Sequence, residues 1–154
     1  MEKKKSAGIL LYRLKDISIE VFLVHPGGPF WSKKDWGSWS IPKGEFTDGE
    51  EALFAAKREF FEETGTELTG VFIELKPVIQ KSGKIVYAWG VKGDIDIDKL
   101  NSNTFEMEWP PRSGKLQNFP EIDKGGWFSI SEAKEKINTS QIALIEDLVM
   151  KMGS

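Results

Sequence analysis

The sequence contains no cysteine and only one histidine, His25, among its 154 residues. These absences exclude disulfides, zinc–thiolate sites, iron–sulfur clusters, thiol nucleophiles and metal sites built from several histidines. A metal ion held by side chains would be bound mainly by carboxylate oxygens, which suits magnesium, manganese or calcium. His25 precedes a proline at the end of a predicted strand, and we expect it to have a structural role.

Charge and hydropathy exclude further classes of protein. The formal net charge of −3 provides no basic field for nucleic acid. No apolar run approaches the roughly 18–20 residues of a membrane span, and the basic start of the chain is not followed by a signal-peptide core. We therefore expect a cytoplasmic monomer or homodimer that binds neither nucleic acid nor a membrane.

The length favours a single domain over residues 1–154, with residues 1–5 as a frayed basic tail. Alternating apolar residues predict strands, and apolar residues at helical spacing predict helices. The predicted strands span residues 6–14, 17–24, 71–80, 85–91, 104–109 and 125–130, and the predicted helices span 48–64, a short stretch from about 130 to 138, and 142–152. Strands and helices alternate without βαβ regularity, which indicates an α+β protein or an α/β sandwich.

Two capping boxes and one glycine mark predicted helix ends. Thr47 with Glu50 and Ser129 with Glu132 have the spacing that satisfies free backbone N–H groups at a helix start. Gly65 follows the first helix and is a natural C-cap.

The first predicted helix is acidic along one side. Glu59, Glu62 and Glu63 share an arc of roughly 100° beside the apolar stripe. Like charges three and four residues apart repel one another, and a divalent cation bound between them would relieve this repulsion. The alternative is an ordinary solvated acidic face, and only the flanking residues favour a metal site.

Those flanking residues give the segment 44–66 a resemblance to the Nudix hydrolase family, whose signature is G-x5-E-x7-R-E-U-x-E-E-x-G-U, with U a bulky aliphatic residue. The match comprises Gly44, Glu50, Arg58, Glu59, Glu62, Glu63 and Gly65. Phe60 and Thr66 occupy the two U positions that the signature reserves for aliphatic residues. The resemblance implies an α/β/α sandwich of the α/β (α+β) class, with a mixed sheet and an acidic helix.

The resemblance also implies roles for these residues. Glu59, Glu62 and Glu63 would bind one to three Mg²⁺ or Mn²⁺ ions on a diphosphate, together with the backbone carbonyl of Lys43. Arg58 would orient the neighbouring glutamate. Glu50 would brace the junction of loop and helix, and Gly44 and Gly65 would be structural.

The implied reaction is attack by water on a phosphorus of a nucleoside diphosphate linked to another moiety. In several family members the general base is a glutamate about six residues before a late-strand tryptophan. Glu121 stands six residues before Trp127 and is the first candidate. Glu106 and Glu108 are weaker alternatives, because they can equally be carboxylates on a strand surface.

The segment W-x-x-P-K-G at residues 39–44 resembles the branches that act on dinucleoside polyphosphates and diphosphoinositol polyphosphates. A basic path beside the motif would suit a polyanionic substrate, and its candidates are Lys43, Lys33, Lys34, Arg112 and Lys115. Aromatic residues in or near loops can stack on a base, and the candidates are Trp31, Trp36, Trp109 and Tyr87. For each lysine and aromatic residue the alternative is solvent exposure or core packing.

The sequence thus predicts a Mg²⁺-dependent pyrophosphohydrolase, with Mn²⁺ as an alternative ion. Its expected substrate is a nucleoside triphosphate or a dinucleoside polyphosphate. Two alternatives remain open: hydrolysis of a nucleotide sugar or a diphosphoinositol polyphosphate, and a sensor that binds a nucleotide without cleaving it.

Overall fold

The structure is a computed structural model, and it describes residues 4–153. A seven-stranded mixed sheet lies between one helix on one face and two helices on the other, which confirms the predicted α/β/α sandwich. The strands are β1 (Lys5–Lys15), β2 (Ser18–Pro26), β3 (Lys43–Phe46), β4 (Phe72–Glu74), β5 (Val78–Ile79), β6 (Ile85–Lys92), β7 (Thr104–Glu108), β8 (Leu116–Pro120) and β9 (Ile122–Ser129). The helices are α1 (Ala52–Thr64), α2 (Ile130–Lys136) and α3 (Ile142–Met152). Among the described residues no helix is long and apolar enough to cross a membrane.

Strand β1 is the centre of the sheet, because both of its faces are buried. Ala7, Ile9 and Leu11 pack towards α1, whereas Leu10 and Tyr12 pack towards α2 and α3. One edge of β1 pairs in parallel with β6. Its other edge is shared by two antiparallel strands, with β3 along its first half and β2 along its second half.

Helix α1 covers one face of the sheet with a small apolar stripe. Ala56, Phe60 and Thr64 are buried, and the Phe60 ring lies 6.2 Å from that of Phe22 in β2. The helix ends at Gly65, whose left-handed conformation (φ 78°) places its N–H on the carbonyl of Phe61. The prediction that Gly65 is a C-cap is therefore confirmed.

Two predictions are wrong: where helix α1 begins, and where the frayed N-terminal tail ends. Helix α1 begins at Ala52 rather than at residue 48, and the side chain of its N-cap residue, Glu51, makes no capping hydrogen bond. Thr47 instead takes part in a turn, accepting a backbone hydrogen bond from Glu50 N–H. The predicted frayed tail over residues 1–5 includes Lys5, which belongs to β1 and pairs with Asp48, while residues 1–3 lie outside the described range.

The sequence prediction also missed two strands, β3 and β8, and merged two others. Strands β7 and β8 form a separate two-stranded hairpin, and β8 was not predicted. The single strand expected over residues 71–80 is split into β4 and β5, both of which pair with β6. The second capping box is confirmed at its hydroxyl, because Ser129 Oγ accepts a hydrogen bond from Glu132 N–H.

Candidate metal and phosphate site

Arg58 forms ion pairs with three of the motif glutamates, Glu50, Glu59 and Glu62. Its Nε and Nη2 donate to the two carboxylate oxygens of Glu50 at 2.8 and 3.0 Å, which is a bidentate pair. Its Nη1 donates to Glu59 at 2.9 Å and to Glu62 at 3.2 Å. These bonds lower the pKa of Glu50 and raise that of Arg58. The turn before α1 is therefore tied to the acidic side of the helix by one guanidinium.

Gly44 lies directly against the carboxylate of Glu59. A Cβ atom at position 44 would stand 2.0 Å from Cδ of Glu59, which is far inside van der Waals contact. Only a residue without a side chain leaves room for this carboxylate between β3 and α1. The first glycine of the motif is thus required by the position of a glutamate rather than by its own backbone conformation.

Glu63 is the most buried of the acidic side chains on α1, with 8% of its surface exposed. Its Oε2 accepts a hydrogen bond of 2.9 Å from Lys43 N–H. Burial, followed by the nearby charge of Glu59 and the charge of Glu121, raises the pKa of Glu63 to about 8. Burial and the charge of Glu62 also raise the pKa of Glu59, against the opposing effect of Arg58.

A series of backbone hydrogen bonds holds Glu121 near these carboxylates. Asn103 N–H donates to the carbonyl of Glu62, and Glu121 N–H donates to the carbonyl of Asn103. The carbonyl of Glu121 in turn accepts from Gly27 N–H. The hairpin base therefore brings Glu121 close enough for its charge to act on Glu59 and Glu63, whereas Glu106 and Glu108 lie exposed on the hairpin.

The donor set fits a hard divalent cation in its chemistry. Carboxylate oxygens are the ligands that Mg²⁺ and Mn²⁺ prefer, and burial followed by the nearby charges of Glu59 and Glu121 raises the pKa of Glu63. Among the described residues, no three acidic or histidine side chains are already arranged to hold a metal ion. Glu59 and Glu62 are instead turned onto Arg58, so a cation would compete with that arginine for their oxygens.

Lys43 lies on the opposite face of β3 from Gly44, because neighbouring residues of a strand alternate between faces. It pairs with Gly8, and its Cβ would stand 2.6 Å from a Cβ at that position. Burial and then the charge of Lys84 lower the pKa of Lys43. Sequence reasoning missed Lys84, since its nearness to Lys43 depends on the pairing of both β3 and β6 with β1.

The other predicted substrate residues lie in three places. Trp31, Lys33 and Lys34 lie in the loop after β2, where the Lys34 ammonium is 4.0 Å from the centre of the Phe30 ring and 5.1 Å from that of Trp31. Lys33 is exposed to solvent.

Tyr87 in β6 lies on the α1 face and meets the ring of Phe46 edge-on. Arg112 and Lys115 lie at the exposed tip of the β7–β8 hairpin, so the structure does not join the five basic residues into one continuous path. Of the other tryptophans, Trp109 is partly buried at the tip of the hairpin, Trp36 is 64% exposed, and Trp39 is buried in the core.

Comparison with known proteins gives a consistent result. A family model described as the NUDIX domain matches residues 2–148. The structure resembles an Ap4A hydrolase from C. elegans solved as a binary complex, with 23% identity, a TM-score of 0.65, and coverage of 97% of this chain and 98% of that one.

Two bacterial structures are similar in fold. The NUDIX domain of NrtR from Shewanella oneidensis, complexed with ADP ribose, is 15% identical with a TM-score of 0.66 over 99% of this chain and 90% of that one. A mutT/nudix family protein from Listeria innocua is 15% identical with a TM-score of 0.65 over 99% and 96%. No curated protein matches the chain in sequence.

The contact between Gly44 and Glu59 predicts the effect of Gly44→Ala. The new methyl group has to displace the Glu59 carboxylate, so Mg²⁺ or Mn²⁺ binding should weaken by about tenfold or more. The end of the Glu59 side chain can move, so the free energy of unfolding should fall by about 1 kcal/mol, the low end of the usual cost of overpacking. Calorimetric titration with each ion measures the first effect and urea unfolding the second.

The matched control is Gly49→Ala, where the nearest atom to a new Cβ is Thr47 Oγ1 at 4.0 Å. Cation binding should be unchanged in that variant. Equal affinities in the two variants would contradict the assignment of Glu59 as a ligand.

The raised pKa of Glu63 predicts a pH-dependent stability in the metal-free protein. Between its ordinary value of 4.5 and about 8, the folded chain binds a proton that the unfolded chain has released. The free energy of unfolding therefore falls as pH rises through this window, by at most about 1.4 kcal/mol per pH unit from this one group. Urea unfolding in EDTA at pH 5.5–8.5 measures the slope.

Glu63→Gln removes the titrating group and keeps the shape of the side chain. The slope of stability against pH should flatten in this variant, and it should stay steep in Glu132→Gln, which changes an exposed glutamate on α2. An unchanged slope in Glu63→Gln would show that another group takes up the proton.

Proposed function

This chain belongs to the NUDIX family, whose model spans residues 2–148 of its 154, and membership of that family supports a hydrolase. We propose that it cleaves a phosphoanhydride bond of a nucleoside diphosphate linked to another moiety, with a divalent cation that is Mg²⁺ or Mn²⁺. The observation that carries the proposal is the group of carboxylates around Glu63, whose negative charge exceeds that of the single arginine beside it.

Glu59, Glu62 and Glu63 are the proposed cation ligands. The carbonyl of Lys43 is a fourth, because the N–H and C=O of one strand residue point to the same side and that N–H is bonded to Glu63. A bound cation would neutralise phosphate charge and lower the pKa of an attacking water. Arg58 keeps Glu59 and Glu62 oriented from the side, through its bidentate hold on Glu50.

Glu121 is the proposed general base, which takes the proton of the attacking water. The position of Glu121 supports this role. Backbone hydrogen bonds from Glu62 through Asn103 hold Glu121 next to α1 and leave its side chain free of them. It also arrives from a different element than the ligands, so that it approaches the phosphorus from another direction.

The proposed substrate carries a chain of three or more phosphates. Lys43 and Lys84 provide two ammonium groups beside the carboxylate site, and a phosphate anion would offset the cost of burying the ammonium of Lys43. The hydroxyl of Ser6, on the same face of the sheet as Lys43, is fully buried and has no hydrogen-bond partner. A phosphate oxygen would satisfy the ammonium groups, whereas the buried Ser6 hydroxyl lies out of reach of solvent.

This charge arrangement favours a nucleoside triphosphate or a dinucleoside polyphosphate over a nucleotide sugar, which carries only two phosphates. A diphosphoinositol polyphosphate would also satisfy the lysines, but it has no base for Trp31 or Tyr87. A sensor that binds without hydrolysis is the remaining alternative, and the presence of every motif glutamate argues against it.

Product analysis tests the function directly. The chain should release mononucleotides from nucleoside triphosphates or dinucleoside polyphosphates in Mg²⁺ and nothing in EDTA. The panel also includes ADP-ribose, a nucleotide sugar and a diphosphoinositol polyphosphate, and chromatography identifies each product. Glu63→Gln should fold normally and cleave none of them. A nucleotide that raises the Tm without being cleaved would support the sensor instead.

Glu121→Gln tests the general base. The variant should lower kcat by roughly tenfold or more with little change in KM, because it removes proton transfer and leaves the cation ligands in place. Glu106→Gln and Glu108→Gln are matched controls on the same hairpin and should retain wild-type kcat. A near-wild-type rate in Glu121→Gln would remove this residue from the mechanism.

A further inference from the structure

His25 is fully buried at the end of β2, and both of its ring nitrogens meet oxygen atoms. Nε2 lies 2.6 Å from the carbonyl oxygen of Lys34, and Nδ1 lies 2.9 Å from Oδ1 of Asp123. The ring edge packs on Trp39 at 5.2 Å between centroids. A carbonyl oxygen only accepts, so Nε2 donates to Lys34, and the second hydrogen bond joins Nδ1 to the Asp123 carboxyl. The ring therefore bridges two separate segments.

The first segment is the turn that carries the candidate base-stacking and phosphate-binding side chains. Lys34 N–H donates to the carbonyl of Trp31, and Trp31 N–H donates to that of Gly28. The Lys34 ammonium lies over the rings of Phe30 and Trp31. Fixing the Lys34 carbonyl therefore fixes the position of this whole aromatic and basic turn.

The second segment carries Glu121. His25 pairs with Lys124 and Pro26 pairs with Ile122, so Asp123 is the extra residue of a β-bulge in β9. A bulge re-aims a side chain, and here it directs the Asp123 carboxylate to His25. Glu121 lies two residues earlier, and its carbonyl accepts from Gly27 N–H on the His25 side of the loop.

We propose that His25 is a positioning residue, which sets the substrate turn at residues 28–34 and the Glu121 segment at a fixed separation so that both meet one substrate. It acts through Lys34 and Asp123 and does not itself touch the substrate. The role requires a planar ring whose two nitrogens each hydrogen-bond to an oxygen atom. The proposal rests on the proposed function for its kinetic consequences, whereas the bridge is a property of the folded chain.

Two substitutions separate the two bonds. The amide nitrogen of asparagine reaches as far from Cα as Nδ1, so His25→Asn retains the bond to Asp123 and loses the one to Lys34. The amide nitrogen of glutamine reaches as far as Nε2, so His25→Gln retains the bond to Lys34 and loses the one to Asp123. Asp123→Asn weakens the bond between His25 and Asp123, the same bond that His25→Gln removes. If His25→Gln does not fold, Asp123→Asn is used in its place.

Hydrogen exchange and kinetics are measured on the same proteins. His25→Asn should speed exchange in residues 28–36 and raise KM by about fivefold, the change expected for one net hydrogen bond, with kcat nearly unchanged. His25→Gln should speed exchange in residues 117–125 and lower kcat by about fivefold with little change in KM. Ile145→Val, a buried change in the α3 core, should lower the Tm and leave all of these values alone.

The outcomes distinguish the bridge from the proposed function. The split pattern in both exchange and kinetics supports the proposal. The split in exchange alone, with no nucleotide cleaved even by the wild type, overturns the proposed function and retains the bridge. Any other pattern, including equal effects of the two histidine variants in both segments, shows that His25 is only a core side chain and overturns the proposal.

Discussion

The acidic site depends on the guanidinium of Arg58, which faces more negative charge than it can neutralise. It makes a bidentate pair with Glu50 and shares its remaining donor between Glu59 and Glu62. Glu63 receives only a backbone N–H, and burial followed by the charge of Glu59 raises its pKa. Arginine stays protonated under all ordinary conditions, so it lets the carboxylates fold together while leaving an excess of negative charge. That excess is what the proposed divalent cation would neutralise.

The same contacts explain which parts of the fold were predictable. The apolar stripe of α1, the central strand and the C-terminal helix follow from local periodicity, so the sequence predicts them well. The start of α1 does not follow from local sequence. Thr47 and Glu50 have the spacing of a capping box, but the Glu50 carboxylate accepts its hydrogen bonds from Arg58. A tertiary ion pair has overridden a local capping preference, and the helix begins at Ala52.

The sequence predicts which residues form the candidate site, but not which of the three glutamates on α1 is buried. A helical projection places Glu59, Glu62 and Glu63 on one arc, but it cannot say which one turns inwards. The close approach of β3 makes Glu63 the buried member and Glu59 the one over Gly44. Lys84 and strand β8, which directly precedes Glu121, escaped prediction for a related reason, since both are positioned by strand pairing and backbone bonds between segments distant in sequence.

Strand β3 explains why lysine and glycine must be adjacent. Successive residues of a strand face opposite sides, so Gly44 opens space for Glu59 on the α1 face while Lys43 directs its ammonium to the face that carries Ser6. The peptide N–H of Lys43 meanwhile bonds to Glu63 at the strand edge. A shift of register by one residue would put the lysine against the glutamates and fill the space that Glu59 needs. The proposed cation ligands and the proposed phosphate-binding Lys43 therefore lie on two sides of one four-residue strand, and a phosphate chain that reaches both would have to cross its free edge.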